Sequence, residues 1–295
     1  MMKTNKIKHT TGDRVFNAVN VLIMVLLCFI TLYPFLYIIS MSFGGSSNIR
    51  GLIPQNPTLS SYQRVLGNIN ITNGFLNSVF RTVVGTASTL LVTLGAAYAL
   101  SKKRFPNRGF WTGFCIFTMF FSGGLIPTYL LMKDLGLLDN RAVLILPMLV
   151  STYNMTIMRN FFMALPDSLE ESAMIDGAND IVILFRIVVP VSTAIIATVA
   201  LWTAVAHWNA WFDSLIYMQS TEKQVLQQIL RRIVIEGTTQ LVDMNITSVS
   251  ADMATASPDG VKGATIVITS LPIIMVYPFL QKYFVKGVMV GSLKG

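Results

Sequence analysis

The sequence predicts an all-α polytopic membrane protein with six transmembrane helices. Of its 295 residues 53% are hydrophobic, and the mean hydropathy is +0.60, too apolar for a water-soluble domain of this length. Only 12% of residues are charged. Those charges collect between apolar stretches that are each near the roughly 20 residues a helix needs to cross hydrocarbon.

Residues 15–43 are the first span, uncharged, with Pro34 as an expected kink. Residues 44–81 are Gly-, Ser- and Asn-rich at their start and read as an extramembrane loop, with a short helix near Ser60–Leu66. Residues 82–101 are the second span, rich in Gly, Ala, Ser and Thr, which let helices approach closely in lipid. Lys102, Lys103, Arg104 and Arg108 make a short basic loop. Residues 110–132 are the third span, interrupted by Ser122-Gly123-Gly124 and Pro127, and residues 142–158 are the fourth, ending at Arg159. A polar loop covers 164–186. The fifth span is 187–211, a long polar segment fills 213–262, the sixth span is 263–281, and the tail 282–295 carries Lys282, Lys286 and Lys294. The first apolar run is too long for a signal-peptide core and lacks a small-residue cleavage pattern, so it stays a membrane helix.

Charge sets the expected orientation. Lys3, Lys6, Lys8 and Arg14, the 102–108 loop and the tail lysines fall on one side of a six-span chain. The positive-inside rule makes that side cytosolic, with both termini there. The formal net charge of +8 then reads as topology, not as nucleic-acid binding. The 164–186 loop faces the cytosol and the 213–262 segment faces outward.

The 164–186 loop holds Asp167, Glu170, Glu171, Asp176 and Asp180 in a chain poor in charge. Ser168 followed by Glu171 has capping-box spacing, and Pro166 blocks a helix upstream. Leu169, Ser172, Ala173 and Asp176 share one helical face, small enough for another protein surface to come close. Gly177 suits a left-handed helix stop. A second helix is expected from about Ile181, with Pro190 near the start of the next apolar segment. Taken alone, this is a capped cytosolic loop.

The spacing says more. Glu171-Ser172-Ala173, three residues, Gly177, nine residues, then Ile187-Val188-Val189-Pro190 resembles the EAA motif of ABC-importer permeases. Ser172 and Val189 are small departures from that family's Ala and Leu. The stretches Ala97–Ser101, Phe121–Tyr129 with Leu135–Leu138, His207–Phe212 and Tyr277–Gly287 are similar to the carbohydrate branch of the same family. The resemblance spans nearly the whole chain from Phe16. It implies the type I importer permease fold of maltose-type transporters, and the role of the second permease subunit in a bacterial cytoplasmic (inner) membrane. It also implies partners: a different permease subunit in a heterodimer, two ATP-binding subunits, an extracellular or periplasmic sugar-binding protein, and an oligosaccharide as substrate.

By the same resemblance, Glu170, Glu171, Ser172, Ala173, Asp176, Gly177 and Pro190 would couple this chain to the ATPase. By itself Glu170 reads as a solvated acid, and Asp176 stands evenly between the two readings. The tail, ending in Lys294-Gly295, either reaches between the ATPase subunits or simply reinforces topology.

No phosphate-binding G-x-x-x-x-G-K-[ST] loop occurs. The two histidines, His9 and His207, fall on opposite sides of the expected membrane, and Cys28 and Cys115 lie in apolar runs. No metal or catalytic constellation is suggested. The chain is therefore expected to be a transporter subunit rather than an enzyme, without a cofactor of its own; ATP and Mg belong to the partners. Tyr153, Asn154, Trp208, Asn209 and Trp211 have the stacking and amide chemistry of a sugar path. The tryptophans equally suit an interfacial belt, and Asn154 a bond between helices. A permease for another solute, such as a peptide, fits the EAA pattern too. An ATP-independent transporter would favour charged residues within spans, and 82–101, 110–132 and 187–211 hold none.

Overall fold

The computed structural model describes residues 10–44, 53–54, 56–235 and 256–292, and for 277–292 essentially the backbone course. Among the described residues the secondary structure is helical apart from isolated bridge positions, Gly44 with Pro57 among them. Lys3, Lys6, Lys8, His9, Lys294 and the 236–255 part of the expected outer loop lie outside the described residues.

Helix α1 (Thr11–Ser42) starts on a capping box: Asp13 N–H donates to Thr10 Oγ1 at 3.3 Å, and Thr10 N–H donates back to the Asp13 carboxylate at 2.8 Å. It runs without interruption through Pro34. Its apolar side chains from Val15 to Leu36 are exposed. Helix α2 (Ser60–Leu66) coincides with the short helix expected there.

The segment read as a loop up to residue 81 is helical from Ile69, because α3 (Ile69–Ser101) begins well before the apolar run. Asn68 caps it, its Oδ1 accepting from Asn70 N–H at 2.9 Å. Three of the polar residues in this early part have tertiary partners. Asn77 donates to the Glu222 and Gln224 carbonyls at 2.7 and 3.0 Å. Ser78 Oγ accepts from Leu226 N–H at 2.9 Å, and Arg81 pairs with Asp213.

The later apolar stretches are broken. Helices α4 (Arg108–Phe120) and α5 (Leu125–Asp134) meet at 112° across the Ser122–Gly124 interruption, where Gly124 takes φ +87°. The fourth stretch is two 3₁₀ turns, Arg141–Leu144 and Leu146–Met148, bent by 49° from α6 (Thr152–Met163). That helix continues past Arg159, whose Nε donates to the Leu100 carbonyl at 2.9 Å.

After α7 (Ser168–Ile175) comes α8 (Asp180–Ile183), a π turn over Leu184–Val188, and α9 (Val189–Val191). The wide π turn gives room for Pro190, which cannot donate to the turn before it. A bend of 89° at Ser192 then opens α10 (Thr193–Asn209). Ile187, where the fifth span is expected to begin, lies in the segment before this bend.

The 213–262 segment is not a plain loop. It holds most of α11 (Phe212–Tyr217), a 3₁₀ turn at Thr221–Lys223 and α12 (Leu226–Val234), which buries Leu226, Ile229 and Ile233 along one stripe. Helix α13 (Pro258–Ser292) starts ahead of the expected sixth span and carries through most of the expected tail. By length and composition α1, α3 and Pro258–Val276 could each cross a membrane, and counting each bent pair as one span gives up to six.

The chain divides into two compact units. In the first, α1 and α2 meet through a 2.6 Å hydrogen bond between Ser42 Oγ and Tyr62 OH. There Gly263 sits so close to the α1 backbone that a Cβ would lie 3.0 Å from Ser42 N. In the second, α3 is the axis. Leu94, Ala97, Tyr98 and Leu100 pack with Met155, Met158 and Phe162 of α6 and Val199 of α10.

Candidate functional site

The acidic hairpin is a short helix closed at both ends by its backbone. Its start differs from the capping box expected at Ser168 and Glu171. Asp167 is the N-cap, in helical conformation with no side-chain cap bond, and its carbonyl accepts from Glu170 and Glu171 N–H at 3.0 and 3.1 Å. The turn begins at Pro166, whose carbonyl accepts from Leu169 N–H at 3.2 Å. Ser168 is thus already inside the helix, and its carbonyl accepts from Ser172 Oγ at 3.0 Å.

The end agrees with the expectation for Gly177. Gly177 takes φ +80°, its N–H donates to the Met174 carbonyl at 3.0 Å, and Ala178 N–H donates to the Ala173 carbonyl at 2.9 Å. This pair of bonds is a Schellman stop. Asn179 Oδ1 then accepts from Val182 N–H at 2.9 Å and starts α8.

The face expected to carry Leu169, Ser172, Ala173 and Asp176 is unevenly covered. Ala173 is buried against the α3–α6 core, while Leu169, Ser172 and Asp176 are exposed. Glu170, read by itself as a solvated acid, is 8% exposed and pairs with Lys102. Glu171 is exposed and makes no ion pair among the described residues, and Ile175 is 87% exposed at the tip. Pro190 is exposed on α9. The hairpin thus presents Glu171, Ile175 and Asp176 outward on a backbone locked at both ends.

From the sequence, Lys102, Lys103 and Arg104 are topology signals. All three reach the hairpin: Lys102 to Glu170, Lys103 to Asp167 at 3.5 Å, and Arg104 to Asp180. The signal that could have found this is the match of three successive bases to acids on a neighbouring polar loop.

Of the residues proposed for a sugar path, Asn154 and Trp208 are used in packing. Asn154 Nδ2 donates to Thr203 Oγ1 at 3.4 Å, so it joins α6 to α10. Trp208 is 5% exposed and donates from Nε1 to the Thr269 carbonyl at 3.1 Å. Trp211 lies under the Arg231 guanidinium, 4.2 Å from its ring centroid. Tyr153 and Asn209 are exposed. Two concave regions lie nearby. One, of about 670 Å³, is walled by Val83, Trp202, Val205, Pro272 and Val276, and is almost wholly apolar. The other, of about 340 Å³, brings Asn209, Trp211, Phe212 and Tyr217 together beside Asp213. Asn209 borders both, and the first also has Trp202 and Trp208, but the second is the more polar and adds Asp213 to its rings and amide, which suits a polyhydroxylated ligand.

No protein-family model matches the chain. It is 42% identical to Protein LplC of Bacillus subtilis over 300 residues, covering 100% of both chains. It is 38% identical to the polygalacturonan/rhamnogalacturonan transport system permease protein YtcP of the same organism, over 96% of this chain and 99% of that one. Among solved structures, it superposes with a TM-score of 0.83 on a chain of a bacterial ABC transporter involved in the import of the acidic polysaccharide alginate. The identity there is 33%, over 95% of this chain and 100% of that one.

Proposed function

This chain belongs to the permease subunits of carbohydrate ABC importers, which are transporters and not enzymes, and on that premise we propose that it is one half of a translocation pathway for an acidic oligosaccharide. The helix α7 is its handle for a separate ATPase. The chain crosses the bacterial cytoplasmic membrane six times with both termini in the cytosol. It pairs with a different permease subunit, receives sugar from an external binding protein, and draws work from two ATP-binding subunits. ATP and Mg stay on those subunits.

The observation that carries this reading is the geometry of α7. Its backbone is closed by the Asp167 carbonyl at one end and by Gly177 at the other, while Glu171 and Ile175 project without partners among the described residues. An exposed apolar tip beside an exposed acid suits a pocket on another protein with a basic rim. The cargo class follows YtcP and the alginate importer, which are more similar to this chain than the relatives named for lactose or trehalose/maltose. Asn209 and Trp211 beside the 340 Å³ cleft are the residues best placed to meet it.

Coupling is tested in the assembled transporter in proteoliposomes. A cysteine replacing Glu171 is expected to cross-link to an ATPase subunit, and Glu171→Lys to uncouple ATP hydrolysis from uptake while the chain still inserts. Normal uptake by Glu171→Lys, with no cross-link from position 171, would refute the assignment. Cargo is tested by competing uptake of an oligogalacturonide with a neutral maltodextrin of equal length. Preference for the neutral sugar would overturn the acidic class and leave the coupling role standing.

A further inference from the structure

Lys102 is the residue that closes α3. Its Nζ lies 4.4 Å from the Tyr98 ring centroid and pairs with Glu170. The two side chains are 18% and 11% exposed, so this contact is largely out of water. The two following bases reach the same hairpin from the surface, Lys103 to Asp167 and Arg104 to Asp180.

The three contacts bracket the Gly177 turn. Two fall on α7 and its cap, and one falls on α8 beyond the turn. Exposed pairs of the Lys103 and Arg104 kind hold little on their own, because water and salt screen them. Lys102–Glu170 differs, since losing either partner leaves a charge largely removed from water and unpaired. One turn past Glu170, Ala173 belongs to the same buried apolar cluster as Ala97, Tyr98 and Leu100 of α3. The ion pair joins this turn of α7 to the end of α3, and the shared apolar cluster covers the same turn.

We propose that Lys102 and Glu170 are a positioning pair that makes α7 and the C-terminal end of α3 move as one piece. The inference rests on the coupling role assigned to α7 above. A displacement imposed on α7 enters α3 directly and is not absorbed by opening at Gly177. The acids of the hairpin then divide by task. Asp167, Glu170 and Asp180 hold it to its own chain, and Glu171 and Asp176 remain for the ATPase.

The test uses the full transporter in proteoliposomes and reads two quantities: sugar taken up per ATP hydrolysed, and cross-link yield from a cysteine at position 171 to the ATPase. Lys102→Met and Glu170→Gln are expected to keep the cross-link within about twofold while lowering uptake per ATP about fivefold or more, the lower end of ordinary coupling energies. Lys102→Arg keeps the charge and is expected to retain the native ratio within about twofold. An unchanged ratio in assembled Lys102→Met, or uptake and hydrolysis falling together, would overturn the pair as a transmitter. Should Lys102→Met fail to assemble, Glu170→Gln decides by the same ratio. Absence of the cross-link with Lys102 and Glu170 intact would instead remove the coupling role of α7, a result distinguishable from failure of the pair alone.

Discussion

Gly85 shows at the residue scale how closely α3 and α10 approach. A Cβ built there would lie 2.6 Å from His207 Nε2, whereas at Gly95 on the same helix nothing comes within 4 Å. Gly85→Ala is expected to cost about 1–3 kcal/mol through overpacking, and Gly95→Ala to leave thermal stability unchanged or raised. Melting of the purified protein in detergent checks both. Arg81 is a second case. Its side chain is fully buried and pairs with Asp213, with further donation to the Ala210 carbonyl at 3.2 Å. Removing Asp213 strands that charge, at a cost of about 3–5 kcal/mol. The double variant Arg81→Met/Asp213→Leu is expected to cost much less than the two single changes added, measured as a double-mutant cycle. The sequence reading placed Arg81 at the edge of a loop because an arginine ordinarily ends an apolar run. Its partner is 132 residues away, beyond the reach of any local pattern.

Whole elements were legible where their signal is local. The helix at Ser60–Leu66, the left-handed stop at Gly177 and the break at Ser122–Gly124 each depend on a few adjacent residues. Helix α12 is hard to see in the sequence although Leu226, Ile229 and Ile233 repeat at helical spacing, because the charges around them resemble a solvated loop. The connection after α5 is also held by an element-scale contact. The Asp139 carboxylate accepts from Lys223 Nζ at 2.7 Å, Ser220 Oγ at 2.6 Å and Ser220 N–H at 3.0 Å. The Lys223 ammonium first, then the Ser220 hydroxyl and N–H, hold this carboxyl well below the usual carboxylate range. A carboxyl with a depressed folded value stabilises above its unfolded pKa of about 3.9 and loses that contribution as pH falls toward the folded one. The melting temperature is therefore expected to drop on acidification below about pH 4, and Asp139→Asn to start lower at neutral pH and to fall less on acidification.

For the molecule as a whole, the main prediction is sidedness. Cysteines replacing Ile175 and Glu222 are expected to react with membrane-impermeant maleimide from opposite sides, position 175 only after the cytosolic face is opened. Labelling of both from the same side would break the proposed orientation. Family and transport class were readable before any coordinates, because hydropathy and the EAA spacing are properties of residue order. Lipid admits few backbone solutions, so apolar runs of sufficient length declare themselves as helices. The path of those helices was not readable. The angles of the bends, 112°, 49° and 89°, are not written in the residue order, and the early start of α3 and the inward turn of Glu170 depend on side chains far apart in the chain. Sequence order by itself determined which residues avoid water and which short motif stands apart from them. Tertiary structure alone decided which charges are matched within the chain and which are left outward, since pairing depends on a few ångströms of distance that linear spacing does not encode.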